Sequence, residues 1–347
     1  MRFPHLRLSA MLRSRSAAVA VGAAVLVTVV VANQPHDEVI GHPQSAAAST
    51  VRTHATPAPP LRTVQRRVEF GDASASHGGA PAVAADSGIV VDLDTRTIIW
   101  ERNPHLSHAP ASTTKIVSTL VALVNFAPER QVTITADALH QAGDETVMGI
   151  HAGETYTVAD LLAGMLLISG NDAATALAVD TVGMDRFVAG MNAQMGALGL
   201  HDSHFTTPVG LDDPAQLSSA YDLAAVATVD QETFPQFRQL VSTIDMQLPA
   251  SQTHPGFALH NLNRLLSLYP PTVGIKPGYT GNAGPCLVAE AVREGHHILG
   301  VLLGAPHLYS DMRMLIDWGF TQRGLRPMVT PSPAPPPPPP PARRPHR

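Results

Sequence analysis

The chain of 347 residues is poor in cysteine, in lysine and, at both ends, in acidic side chains. Its single cysteine, Cys286, rules out an intrachain disulfide. Because Cys286 follows Gly284-Pro285 and opens the apolar run Cys286 to Ala289, it reads as a small core residue rather than a reactive thiol. All but two of the 23 basic residues are arginine, the exceptions being Lys115 and Lys276. A residue type this scarce marks two positions where a guanidinium does not replace an amine. No apolar run reaches the length of a comfortable bilayer span, about 20 residues, the nearest being Ser16 to Ala32. Every acid lies between Asp37 and Asp317, where 28 acidic residues face 14 basic ones. Such a body repels phosphate backbones, so no nucleic-acid partner is expected. The 17 histidines include no His-Glu-x-x-His, and the pairs His105/His108 and His201/His204 sit in loop-like sequence without a convincing third ligand. Neither a metal nor another cofactor is expected.

What is present divides the chain into four segments. Arg2, Arg7, Arg13 and Arg15 precede the stretch Ser16 to Ala32, so residues 1–35 have the layout of an export signal, cleaved near Val30-Val31-Ala32, or of a retained N-terminal membrane anchor. Both place the body outside the cytoplasmic membrane, in the envelope or secreted. Residues 36–83, rich in Ala, Pro, Ser, Thr and His without a sustained apolar period, read as a disordered linker. Residues 84–326 form the body. Residues 327–347 hold eleven prolines, seven of them consecutive from Pro335 to Pro341, followed by Arg343, Arg344 and Arg347. This is an extended proline-rich basic tail, with no partner named by its sequence.

Within the body, β-branched runs at Gly88 to Leu93 and Thr97 to Trp100 predict a hairpin, and Val132 to Ile134 a short strand. Helices are expected over Ser112 to Asn125, Thr157 to Gly170, Asp172 to Val182 and Met184 to Leu198. Strands at Cys286 to Val292 and His297 to Leu303 and a closing helix at Tyr309 to Trp318 complete the pattern. It predicts a mixed α/β (α+β) fold, a sheet covered by helices.

The strongest chemical signal is Ser112-Thr113-Thr114-Lys115. Positions three apart at a helix start share a face, so the Ser112 hydroxyl and the Lys115 amine can meet. A serine hydroxyl is a weak nucleophile until a base takes its proton, and a lysine whose pKa is lowered by burial and neighbouring cations can be that base. Alone, the same four residues fit a helix cap with a surface lysine. Two further segments change this: Ser169-Gly170-Asn171 between two helices and, before an apolar strand, Lys276-Pro277-Gly278-Tyr279-Thr280, which taken alone reads as a turn. Together they supply a nucleophile, a base, a second hydroxyl, an amide and a second cation.

This ordered set resembles the Ser-x-x-Lys, Ser-x-Asn and Lys-Thr-Gly motifs of the penicillin-recognising serine enzymes, and the surrounding sequence resembles their D-alanyl-D-alanine carboxypeptidase branch. The similarity includes Gly153-Glu154-Thr155, Asp172-Ala173-Ala174, Thr207-Pro208-Val209-Gly210-Leu211, Asn263-Arg264-Leu265-Leu266 and Asp317-Trp318-Gly319-Phe320, and so spans the body. It implies a β-lactamase/transpeptidase-like fold, with an antiparallel sheet flanked by helices and an all-helical subdomain. It implies peptidoglycan stem peptides ending in D-Ala-D-Ala as substrates and β-lactams as covalent inhibitors. Residue by residue, Ser112 would attack the carbonyl between the two D-alanines, Lys115 would be the base, and Ser169 would pass a proton to the departing amine. Asn171 would hold the substrate amide and Lys115, and Lys276 would face the substrate carboxylate. Gly278, Tyr279 and Thr280 would line the substrate, with the Ser112 and Tyr279 N–H groups as oxyanion hole.

One position departs from the pattern. Pro277 stands where the resemblance has threonine, so both a hydroxyl and a backbone donor are missing, and Thr280 is the expected substitute hydroxyl. Two other functions compete. A class A-like β-lactamase needs a deacylating glutamate, and Glu232 is the only one between Asn171 and Lys276, in Gln231-Glu232-Thr233-Phe234, which does not resemble that family's loop. A non-catalytic wall-binding homologue is the other, with Pro277 as the lesion.

Overall fold

In a computed structural model of the protein, residues 58–72, 79–139 and 145–328 are described. The segment expected to be an export signal or anchor, the first part of the expected linker and nearly all of the tail lie outside the described residues. In chain order come strands β1 (Gly71–Asp72), β2 (Ser87–Asp92) and β3 (Thr97–Arg102), then a 3-10 turn, Ala111–Thr113, that runs into helix α1 (Thr114–Asn125). Strand β4 (Gln131–Thr133) pairs with β5 (Thr155–Thr157), which leads into α2 (Val158–Leu167), α3 (Asn171–Val179) and α4 (Met184–Leu198). Helices α5 (Ala220–Thr233) and α6 (Pro235–Ser242) precede the small hairpin β6 (Asp245–Leu248) and β7 (Phe257–His260). After the short α7 (Leu265–Leu268), strands β8 (Thr272–Thr280), β9 (Gly284–Arg293) and β10 (His296–Leu303) complete the main sheet, and α8 (Leu308–Gln322) closes the body. The six-stranded sheet has the order β1-β3-β2-β10-β9-β8, antiparallel throughout except for β1 on β3, and β8 is an edge strand.

Period-two alternation sends the sheet's side chains into two cores. On one face Ile89, Val91, Cys286, Val288, Leu299 and Val301 pack against the helical block α1 to α6. On the other, Val90, Leu287, Ala289, Ile298 and Leu302 meet Met312, Leu315 and Ile316 of α8. A sheet sandwiched between helices on both faces is the expected mixed fold. Cys286 is buried in the first core, as its sequence context predicts, and burial pushes its thiol up to about 12.

Helix starts follow the local chemistry. Thr157 and Asp160 form a reciprocal capping box at α2, with the Asp160 N–H donating to Thr157 Oγ1 at 3.1 Å and the Thr157 N–H to Asp160 Oδ2 at 3.0 Å. Two differences from the sequence expectations stand out. Residues 58–72, placed by the sequence in the linker, pack on the body: Val68 and Phe70 are buried, β1 extends the sheet, and the Arg62 and Val64 N–H groups each donate at 2.8 Å, to Asn125 and Gln194. Two apolar residues are too few to register as a strand period. Helix α5, where the sequence predicts no element, carries no stripe, because Ala220 and every residue from Asp222 to Gln231 are buried, so its apolar positions surround it instead of lining one face.

Candidate active site

The turn Ala111–Thr113 sets Ser112 at the mouth of α1, and Lys115 follows in the helix's first turn, fully buried. The close approach depends on two glycines. At Gly278 of β8 an added Cβ would stand 2.8 Å from the Ser112 N and 3.0 Å from the Thr113 N, so the strand lies flat against the turn. At Gly210, whose φ is +87°, a Cβ would be 1.9 Å from the Ala111 O. Lys115 Nζ reaches three acceptors: Ser112 Oγ at 2.9 Å, Asn171 Oδ1 at 2.7 Å and the Val209 carbonyl at 2.9 Å. Burial, reinforced by the Lys276 cation, pushes the Lys115 amine well below the usual lysine range, while Glu145 and Asp172 pull it back. A neutral amine so placed has a lone pair for the Ser112 proton.

Ser169 and Asn171 enter from the break between α2 and α3. Ser169 adopts a left-handed conformation, φ +62°, and is buried. Asn171 opens α3, with its Oδ1 on Lys115 and its Nδ2 donating to Glu145 Oε2 at 2.6 Å. The next residue, Asp172, accepts from the backbone N–H groups of Met148, Gly149 and Ile150 and so fastens that segment over the start of α3.

The third segment is the edge strand β8, which the sequence alone reads as a turn. Lys276 is fully buried, its Nζ donates to the Pro277 carbonyl at 3.1 Å, and burial lowers its pKa to about 7. Tyr279 is 71% exposed. The Thr280 hydroxyl donates to Asp212 Oδ1 and accepts from the Ala283 N–H, while the Asn282 N–H donates to Asp212 Oδ2 at 3.1 Å. A hydroxyl has one proton, and this one is engaged. The expected substitution of Thr280 for the hydroxyl missing at Pro277 is therefore absent from this geometry.

Comparison with known proteins finds relatives over most of the chain. A sequence profile described as D-alanyl-D-alanine carboxypeptidase matches residues 74–307. The D-alanyl-D-alanine carboxypeptidase DacB2 of Mycobacterium tuberculosis is 34% identical over 262 residues, 72% of this chain and 88% of that protein. The chain belongs to the D-alanyl-D-alanine carboxypeptidase family. A second member, DacF of Bacillus subtilis, is 31% identical over 70% of this chain but only 64% of its own length. Among solved structures, a D-alanyl-D-alanine carboxypeptidase of Mycobacterium tuberculosis matches with a TM-score of 0.64 at 33% identity, over 72% of this chain and 96% of that one. A Streptomyces DD-transpeptidase matches with a TM-score of 0.66 at 30% identity, over 70% and 99%.

Three groups at the site make contacts that sequence reasoning does not reveal. The Val209 carbonyl is backbone and carries no residue signal. Asp172 follows Asn171 directly, but its role depends on a segment more than twenty positions upstream. Glu145 reaches Asn171 from that same segment and belongs to no recognisable motif. Glu232, weighed as a deacylating carboxylate, instead ends α5 in ion pairs with Arg66 and Arg96. The histidines serve local contacts: His105 bonds Asp202 at 2.7 Å and stacks on Tyr221, and His204 bonds the Ala215 carbonyl.

Proposed function

We propose that the protein is a serine-type D-Ala-D-Ala carboxypeptidase that removes the terminal D-alanine of peptidoglycan stem peptides through an acyl-enzyme on Ser112. The observation that carries this is the buried Lys115 Nζ, 2.9 Å from Ser112 Oγ and 2.7 Å from Asn171 Oδ1, in a chain of this family. As Ser112 Oγ bonds to the carbonyl carbon between the two D-alanines, its proton passes to the neutral Lys115 amine. The developing oxyanion is met by the Ser112 and Tyr279 N–H groups, each such donor typically contributing about 2.7–4 kcal/mol. Ser169 relays the proton to the departing nitrogen, the C–N bond breaks, and D-alanine leaves. Water then attacks the ester, its proton returns through Lys115 to Ser112 Oγ, and the shortened peptide departs with a new carboxylate. Lys276 supplies the positive charge for the substrate's terminal carboxylate, and Asn171 with Gly278 and Tyr279 lines the peptide.

Family membership implies D-Ala-D-Ala peptides and β-lactams as ligands and a site of action outside the cytoplasm. The export layout of residues 1–35 supports the same placement, as signal or as anchor. The likeness to a DD-transpeptidase favours a second fate for the acyl-enzyme, transfer to an amine instead of water. Labelling with a fluorescent penicillin, with Ser112→Ala as control, and D-alanine release from a stem-peptide mimic with and without an acceptor amine test both. Label on Ser112 with release in water alone supports the carboxypeptidase. Release only with the amine supports the transferase, label without release the non-catalytic homologue, and rapid turnover of the label the β-lactamase.

A further inference from the structure

Glu145 stands beside the catalytic groups with no assigned part in the reaction. Its carboxylate accepts from Asn171 Nδ2 at 2.6 Å, while Asn171 Oδ1 accepts from Lys115 Nζ at 2.7 Å. Asn171 is thus gripped at both ends of its carboxamide. Glu145 is itself held in place: the Asn171 N–H donates to the adjoining Thr146 carbonyl at 2.8 Å, and the Met148 and Gly149 N–H groups each donate to Asp172 at 2.7 Å.

A carboxamide has a donor end and an acceptor end of nearly the same shape, and its neighbours decide which way it faces. Lys115 cannot decide this alone. Protonated, it only donates and demands the Asn171 oxygen; neutral, it also carries a lone pair that the Asn171 nitrogen can serve. An ionised carboxylate only accepts, so Glu145 demands the Asn171 nitrogen in every state of Lys115. We propose that Glu145 is a positioning residue that locks the Asn171 carboxamide, keeping its oxygen on Lys115 throughout acyl transfer and its second N–H available to the substrate. This rests on Ser112 as nucleophile and Lys115 as base.

The charge has a separable consequence. Lys115 is faced by Lys276 from β8 and by Asp172 and Glu145 from the α3 side, and only the last two favour its protonated form. Removing the Glu145 charge moves the acid limb of acylation to lower pH; removing its acceptor lowers the plateau.

The test compares Glu145→Gln with Glu145→Ala in the full chain, by the rate of acylation with a fluorescent penicillin across pH and by thermal melting. Gln keeps an acceptor, so its plateau is expected within about threefold of the parent, whereas Ala falls about tenfold, the scale of a lost charge-assisted hydrogen bond. Both acid limbs shift to lower pH and both melting temperatures match the parent. An Ala variant acylating at the parental plateau overturns the proposal, as does a Gln variant falling as far as Ala. A Gln variant that acylates normally but accumulates acyl-enzyme also overturns it, making Glu145 a hydrolytic base. Should Ala not fold, Glu145→Met, which fills similar space and also lacks an oxygen acceptor, takes its place, and a parental plateau in Met overturns the proposal. Failure of the underlying assignment reads differently: the parent is then unlabelled, or Ser112→Ala is labelled.

Discussion

At the scale of single residues, the proposed mechanism asks of Lys115 a chemistry that arginine cannot perform. Lys115 is useful only if its amine sheds a proton inside the protein, and burial together with Lys276 drives it that way. Lys115→Arg, which stays protonated, should slow penicillin acylation of Ser112 by about 10²–10⁴-fold, the span of a lost general base, as stopped-flow labelling would register. In the proposed mechanism Lys276 has the opposite task, since it must be charged when substrate arrives, yet burial lowers its pKa to about 7 in the free protein. As pH rises through that value, kcat/KM for a substrate with a free terminal carboxylate should fall, while an amide-terminated analogue loses this limb. Lys115 affects both substrates alike, so the ratio of their profiles isolates Lys276. A bound carboxylate favours the ammonium form, so the corresponding limb in kcat lies at higher pH. Pro277→Thr restores a hydroxyl that Thr280, held by Asp212, does not supply. Its KM for the carboxylate substrate is expected to drop by about 5- to 30-fold, one hydrogen bond to a charged group shared with competing water, with kcat nearly unchanged. Unaltered steady-state constants would rule this out.

Elements explain what was legible beforehand and what was not. Met184–Leu198 matches its expected helix because its apolar residues recur on one side, and Ser112 meets Lys115 because helical spacing alone brings them together. Strand β8 is hidden by its own chemistry: Pro277 and Gly278 read as a turn, yet an edge position tolerates the proline and the glycine permits contact with the Ser112 turn. The contacts of Glu145 and Asp172 are set by how a loop folds back over α3, which no local spacing encodes. The strand-to-turn contact makes a sharp prediction. In Gly278→Ala the new methyl meets backbone nitrogen atoms rather than flexible side-chain tips, so the turn carrying Ser112 must shift. Acylation should fall about 10²-fold, as expected of a misplaced nucleophile. Denaturant unfolding should show a loss of about 1–3 kcal/mol from overpacking.

For the whole molecule, the core on the helical-block side encloses an ionisable side chain without a partner among the described residues. Asp230 lies inside α5, fully buried, and among the described residues neither carboxylate oxygen has a hydrogen-bond partner. Burial therefore raises its pKa well above the usual carboxylate range. Between the ordinary carboxylate pKa and that raised value the native state holds a proton that the unfolded chain has lost, so stability falls as pH rises through this window. Lys276 slopes the other way: from about 7 up to its ordinary value of 10.5 the unfolded chain holds the proton and the native protein does not, so stability rises with pH. Asp230 thus contributes a downward slope on the acid side, and Lys276 an upward one above about 7. Asp230→Asn removes the first slope without changing the shape of the side chain. It should leave stability nearly unchanged in acid, where Asp230 is protonated in both states, and raise it increasingly toward neutral pH. Chemical denaturation at a series of pH values reads this directly: parent and variant curves that run parallel from acid to neutral would mean that Asp230 is not the source of the acid-side slope.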